Sequence, residues 1–153
     1  MMDTEAVLFF DTSALVKYLH DEPGSERVIT LIEDQRHELW ISALARVEMV
    51  SALHRKRREQ TLSEAQLHQT LSGVDSILRI FQIEPLAPSV LDTATQLIRT
   101  HGSERALRTL DALHLATFVL RAGPEWQLVV ADHRLDAVAQ EEGVDTIRPS
   151  QEA

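Results

Sequence analysis

Short apolar runs alternate along the chain with stretches of helical periodicity. Val7-Leu8-Phe9-Phe10 ends at Asp11, and an apolar run of this length bounded by a polar residue reads as a buried strand. Thr12 and Ser13 are helix-start residues, so 14–19 suits a first helix. Pro23-Gly24-Ser25 breaks and restarts the chain ahead of the stripe Val28, Leu31, Ile32. Leu39-Trp40-Ile41 is a second strand, and Ser42 is suited to cap a helix running through Leu44, Val47, Val50 and Leu53. A further helix starts near Ser63, with Leu67, Leu71, Val74 and Leu78 as its apolar positions. Ile80 to Ile83 reads as a third strand stopped by Pro85. Pro88 and Ser89 open a helix expected to end near Gly102, and Leu107 to Leu120 forms a strongly apolar helix closed by Gly123-Pro124. Leu128 to Ala131 is a strand ending at Asp132; a short helix follows, stopped by Gly143, and Val144 to Ile147 is the last strand.

Strands alternating with helices predict an α/β fold, a three-layer α/β/α arrangement around a short, mostly parallel sheet. The strands are nearly all apolar, as befits strands covered on both faces. In such sheets ligands bind beyond the carboxyl ends of the strands, and that rule alone selects Asp11 and Asp132.

Composition narrows the chemistry. A length of 153 residues argues for one domain over 1–153, and a chain 44% apolar but only 5% aromatic builds its core from Leu, Val, Ile and Ala. With no cysteine there are neither disulfides nor thiolate metal sites, so a metal would need oxygen or imidazole ligands, and carboxylates favour Mg²⁺ or Mn²⁺. The opening residues carry acids rather than a basic n-region, and no apolar stretch approaches the ~18 residues of a membrane helix; a cytoplasmic protein is expected. The formal net charge of −9 is the wrong sign for a protein that grips nucleic acid mainly through phosphate contacts. The one basic cluster, His54 to Arg58, reads either as a solvated helix end favoured by the helix dipole or as part of a nucleic-acid or partner surface.

Four carboxylates sit in apolar surroundings. Asp11 and Asp132 each leave an apolar strand, where each could equally be a helix cap. Asp111 shares a helical face with Leu107, Leu110, His114, Leu115 and Phe118 on a helix apolar nearly all round. A buried ionised carboxylate is costly unless it is satisfied by a cation, either a metal or an arginine such as Arg108 or Arg134. Glu48 shows a milder conflict among Leu44, Val47 and Ala52, with water or Arg46 as its ordinary partner. His114, one turn beyond Asp111, reads as a hydrogen-bonded core histidine that could touch the site; Thr12, Ser13 and Arg134 are candidates to support the carboxylates. Carboxylates gathered in one pocket repel one another unless a cation is present. A divalent metal resolves this, and phosphodiester hydrolysis is the natural chemistry of such a site.

These residues resemble a known family. Val7 to Leu15 (V-L-F-F-D-T-S-A-L) is similar to the opening motif of PIN-domain proteins, and Arg46-Val47-Glu48 to their second. Leu110-Asp111-Ala112-Leu113-His114-Leu115-Ala116 resembles the third and Val130-Ala131-Asp132-His133-Arg134-Leu135 the fourth. Their order and spacing cover nearly the full chain, which looks like the toxin of a VapBC-type toxin–antitoxin pair. The resemblance implies a PIN fold and a Mg²⁺- or Mn²⁺-dependent endoribonuclease acting on single-stranded RNA. It implies a homodimer neutralised by a VapB-like antitoxin, with Asp11, Glu48, Asp111 and Asp132 in the metal and catalytic roles. One departure is Val130, where many relatives carry a hydroxyl that could orient the last acid. The alternative of a different class is a catalytically silent PIN-fold module that binds a partner protein or RNA. A haloacid-dehalogenase-type phosphatase would need a second aspartate where Ser13 stands, and a response-regulator receiver a late lysine, whereas the only lysines are Lys17 and Lys56.

Overall fold

A computed structural model describes residues 4–150; residues 1–3 and 151–153, the two ends of the span read above as one domain, lie outside the described residues. The order of elements is β1 (Ala6–Phe10), α1 (Thr12–Leu19), α2 (Ser25–Glu33), β2 (His37–Ser42), α3 (Ala45–Arg58), α4 (Glu64–Leu78), β3 (Gln82–Glu84), α5 (Pro88–Arg105), α6 (Thr109–Arg121), β4 (Gln127–Val129), α7 (His133–Glu141) and β5 (Thr146–Ile147). The sheet order is β3-β2-β1-β4-β5. Every described pairing is parallel, with Phe10 opposite Ile41 on one side and Val129 on the other.

Alternation along β1 divides the core. Leu8 and Phe10 point into the layer of α1–α4, against Ile41, Met49, Leu53 and Phe81. Phe9 points into the layer of α5–α7, with Trp40, Leu115, Phe118, Leu128 and Val130. Helices therefore cover both faces, which is why the strands lack polar alternation. Both β1 phenylalanines meet aromatic edges: Phe9 lies 5.6 Å from Phe118 and Phe10 5.5 Å from Phe81, each near perpendicular.

Several boundaries differ from the sequence reading. Helix α5 runs through Gly102 to Arg105, because His101 is tied to Glu142 at 2.7 Å and Arg105 to Glu141, which anchors its last turn on α7. The left-handed residue that ends it is Ala106 (φ 53°), and Leu107 drops into the core before α6 begins. Ser42 accepts from the Leu44 N–H at 3.1 Å, so it shapes the turn before α3 rather than capping the helix, whose cap position is Leu44. The buried stripe of α3 is Ala45, Met49 and Leu53, and Val47 is 62% exposed on its flank. Ile80 lies in the turn before β3, where buried Phe81 is the anchor. The expected strand 128–131 is observed as Gln127–Val129, with the Val130 N–H still donating to Ile147 O at 3.0 Å, and the last strand is confined to Thr146–Ile147.

Candidate active site

The carboxyl end of β1 delivers Asp11. Its N–H still donates to Val129 O at 2.9 Å, holding it to the neighbouring strand while the chain turns into α1. Its side chain caps that helix through Oδ2, which accepts from the Ser13 N–H at 3.2 Å and the Ser13 hydroxyl at 2.5 Å. Ser13 Oγ in turn accepts from the Ala131 N–H at 3.2 Å, locking the start of α1 to the end of β4. Asp132 caps α7 by accepting from the Leu135 N–H at 2.9 Å through Oδ1. The capping roles are thus real at both aspartates, and each cap engages only one carboxylate oxygen.

Asp111 lies in the first turn of α6 and is 9% exposed. The cation beside it is Arg108, whose Nε donates to Asp111 Oδ2 at 3.2 Å while a terminal nitrogen lies 3.6 Å from Asp132 Oδ2. Arg134, the other arginine considered, is exposed on α7 and has no hydrogen bond or ion pair to the site among the described residues. Arg108 fills that place because it lies three residues before Asp111 on the same turn. The Asp111 carboxyl is nevertheless pushed above its usual range, by burial first and then by the charge of Asp11, with Arg108 opposing.

Glu48, in the first turn of α3, pairs with His114 Nε2. Arg46, its nearest candidate in sequence, points away to Asp75 at 3.2 Å. His114 is 1% exposed, and its Nε2 also lies 3.5 Å from the Thr12 hydroxyl. It is therefore both a core residue and a neighbour of the site. Burial works to lower its pKa, but Glu48, Asp11 and Asp111 outweigh that and raise it. Its Nδ1 is buried without a hydrogen-bond partner among the described residues.

These side chains face one cleft of about 630 Å³, bounded by α1, α3, the start of α6 and the end of β4. Asp11, Glu48, Asp111 and Asp132 all line it, with Thr12 and Ser13; His114 lies behind Glu48. Val130 does not, because its side chain belongs to the α5–α7 core. A hydroxyl at 130 would start from that core position, and here Ser13 supplies the hydroxyl that touches both Asp11 and the Ala131 backbone. Helix α6 is buried only in part: Leu110 at the cleft lip and Val119 and Leu120 near the helix end are exposed, since packing on α5, α7 and the sheet leaves one flank uncovered.

The residues fit a hard divalent cation. Asp11 Oδ1, Glu48 Oε2 and Asp111 Oδ1 have no hydrogen-bond partner among the described residues, while their sister oxygens are fixed by Ser13, His114 and Arg108. The donor set is all oxygen, suited to Mg²⁺ or Mn²⁺, and a cation would offset the burial and the neighbouring Asp11 charge that lift the Asp111 pKa. The cleft acids stand farther apart; among the described residues, the acid and imidazole ligand atoms that all lie within 4.8 Å of one another are elsewhere, at Glu5, Asp34 and His37. There Arg36 already serves as the cation, 2.7 Å from Glu5 and 2.8 Å from Asp34.

Lys17, Arg55 and Lys56 also line the cleft; the sequence reading offered Arg55 and Lys56, within the basic cluster, as one possible nucleic-acid surface, but it missed Lys17 and the meeting of the three at this site. The visible signal was that both of the chain's lysines lie within a turn or two of a proposed ligand, Lys17 after Asp11 and Lys56 after Glu48.

Comparison with known proteins agrees with this geometry. Residues 8–141 match the PIN domain. Ribonuclease VapC46 of Mycobacterium tuberculosis is 33% identical over 147 residues, covering 95% of this chain and 99% of the relative. Ribonuclease VapC35 of the same organism is 30% identical over 149 residues, covering 95% and 98%. Among solved structures, VapC20 of Mycobacterium tuberculosis, described as a toxin that cleaves the sarcin–ricin loop, superposes with a TM-score of 0.71 at 17% identity over 93% of this chain and 99% of its own. The FitAB complex bound to a DNA fragment gives 0.67 at 21% identity over 95% and 97%. With its four acids in order at the strand ends and helix starts of a parallel α/β/α sandwich, the chain belongs to the PIN-domain family.

Proposed function

We propose that this cleft hydrolyses RNA phosphodiester bonds with a divalent cation, Mg²⁺ or Mn²⁺, held by Asp11 and Asp111 and assisted by Glu48 and Asp132. The chain is a toxin-type endoribonuclease of a toxin–antitoxin pair, with an antitoxin as its partner. The observation that carries the chemical reading is that Asp11, Glu48 and Asp111 line one cleft, each with one carboxylate oxygen unpartnered among the described residues, and that Asp111 is held above its usual pKa.

A divalent cation there supplies positive charge for a phosphate oxygen and acidifies a water. The chain's own groups do the rest. Ser13 fixes one oxygen of Asp11 and leaves the other open to a cation, and His114 does the same for Glu48. Arg108 restrains Asp111 and Asp132; its side chain is 64% exposed, so it can also turn to a phosphate oxygen of bound RNA. Thr12 steadies His114.

No described helix is long and apolar enough to cross a membrane, and the reading places the protein in the cytoplasm with its RNA targets. The exposed Leu91 of α5 and Leu120 of α6 favour pairing with a second copy as a homodimer.

Incubation of the purified protein with a mixed RNA pool tests the reading. Cleavage is expected with Mg²⁺ or Mn²⁺ and is expected to vanish with EDTA and in Asp11→Asn. Calorimetry that detects no binding of either metal, together with intact RNA, would sink the enzyme and leave the silent binding module.

A further inference from the structure

The far wall of the cleft is cationic in a chain whose net charge is −9. Its only two lysines, Lys17 on α1 and Lys56 on α3, both stand there, next to Arg55. They share one carboxylate: Glu22 accepts from Lys17 Nζ at 3.2 Å and from Lys56 Nζ at 2.9 Å. Lys17 also donates to Pro23 O at 2.7 Å. The lysine side chains are only 12% and 19% exposed, so the pair is built into the wall rather than trailing in solvent. Arg55 has no ion pair among the described residues, and three cations against one carboxylate leave the wall net positive.

We propose that Arg55, Lys56 and Lys17 form a phosphate-binding subsite for the single-stranded RNA backbone, one or two nucleotides from the cleaved bond. The assignment rests on the nuclease reading above. Helix α3 sets the separation, since Glu48, Ala52, Arg55 and Lys56 lie along one face of it. Glu48 and Lys56 are thus about 12 Å apart along the axis at 1.5 Å per residue. The carboxylates cannot attract the backbone beyond the phosphate beside a bound cation; a separate cationic wall can. Ammonium groups offer several rotatable donors, so Lys17 and Lys56 can accept a phosphate without releasing every existing bond. Glu22 occupies the position between them that a phosphate group would take, and burial that would raise its pKa is outweighed by the two lysines, which lower it. It therefore competes with the ligand and sets the strength of the subsite. The other half of the basic cluster does not share this role: Arg57 is bound to Glu64 at 3.1 Å, and Arg58 is exposed outside the cleft.

The test measures binding of a fluorescent single-stranded RNA oligonucleotide in EDTA, across a salt series, alongside cleavage of a dinucleotide carrying one phosphodiester bond. The double variant Arg55→Ala/Lys56→Ala is expected to bind the oligonucleotide roughly ten-fold more weakly, with the salt slope reduced by about 0.7 for each lost contact. Cleavage of the dinucleotide by the parent with metal present reports the nuclease separately from the wall. Glu22→Gln is expected to bind about two- to five-fold more tightly, and Arg58→Ala should change nothing. Unaltered affinity and salt slope in the double variant would overturn the subsite while leaving the nuclease standing. Equal competition by polyglutamate would overturn it in favour of an acidic peptide. A parent that cleaves neither substrate but binds RNA through these residues would overturn the nuclease and keep the subsite.

Discussion

Asp111→Asn is expected to reduce metal-dependent RNA cleavage by on the order of 10²–10³-fold or more, and yet to raise the melting temperature of the metal-free protein at neutral pH. The second effect follows from the environment of the carboxylate. Burial, together with Asp11, lifts its pKa above the ordinary 3.8. A carboxyl whose folded-state pKa is raised contributes stability that is fully present below its unfolded value, near 3.8, and is lost as the pH climbs through the raised folded value. At neutral pH the ionised group is therefore a net cost to the metal-free fold, and the neutral amide removes that cost. Arg108 loses its partner in the variant, but at 64% exposure its guanidinium stays solvated, so little is lost there. Thermal melts in EDTA across pH 3.5 to 8 check this. The gain should shrink toward acid pH, and added Mn²⁺ should raise the melting temperature of the parent but not of the variant. A variant that melts well below the parent in EDTA at neutral pH would show that Asp111 is held for the fold rather than for a cation.

The largest loss of stability is expected from Phe10→Ala. Phe10 is fully buried at the last position of the central strand, edge-on to Phe81 and packed in the α1–α4 layer. Truncating such a side chain leaves a cavity that the sheet cannot close from one side, at a cost of about 3–5 kcal/mol. At about 2–4 °C per kcal/mol for a chain of this size, the melting temperature should fall by roughly 6–20 °C. Chemical denaturation checks it, and a loss under about 1 kcal/mol would mean that the layer collapses around the gap. Because Asp11 follows directly, metal affinity should fall too, even where the variant remains folded.

The sequence made the strand ends legible because strands covered on both faces must be apolar, so the first acid after each stands out. Asp11 and Asp132 were visible on that ground, and Asp111 through its helix partners. The structure gathers all four acids at one cleft. What could not be read was which partner each acid takes. Arg108 and Arg134 were equal candidates for Asp111, and only the extended turn through Arg108 aims the nearer one back at the site. The pairing of Glu48 with His114 joins residues 66 positions apart, and no local pattern encodes it. The same holds for Lys17, Glu22 and Lys56, which meet only because α1 and α3 pack together. Helix ends failed where tertiary bonds override local punctuation, as at Gly102, where the anchors on α7 carry α5 onward.

The two-layer core carries a further consequence. Glu48 reaches the cleft from α3, on one side of the sheet, and Asp111 from α6, on the other. Two packed slabs on one sheet are expected to open as separate units in the metal-free protein, each with its own protection against hydrogen exchange. The cleft is where both slabs end, bridged by Glu48–His114 and, when a cation is bound, by the carboxylates that share it. Binding there would fuse two cooperative units into one, so the amides of α3 and α6 would open together rather than separately. Catalytic competence would then report the integrity of both halves of the fold at once.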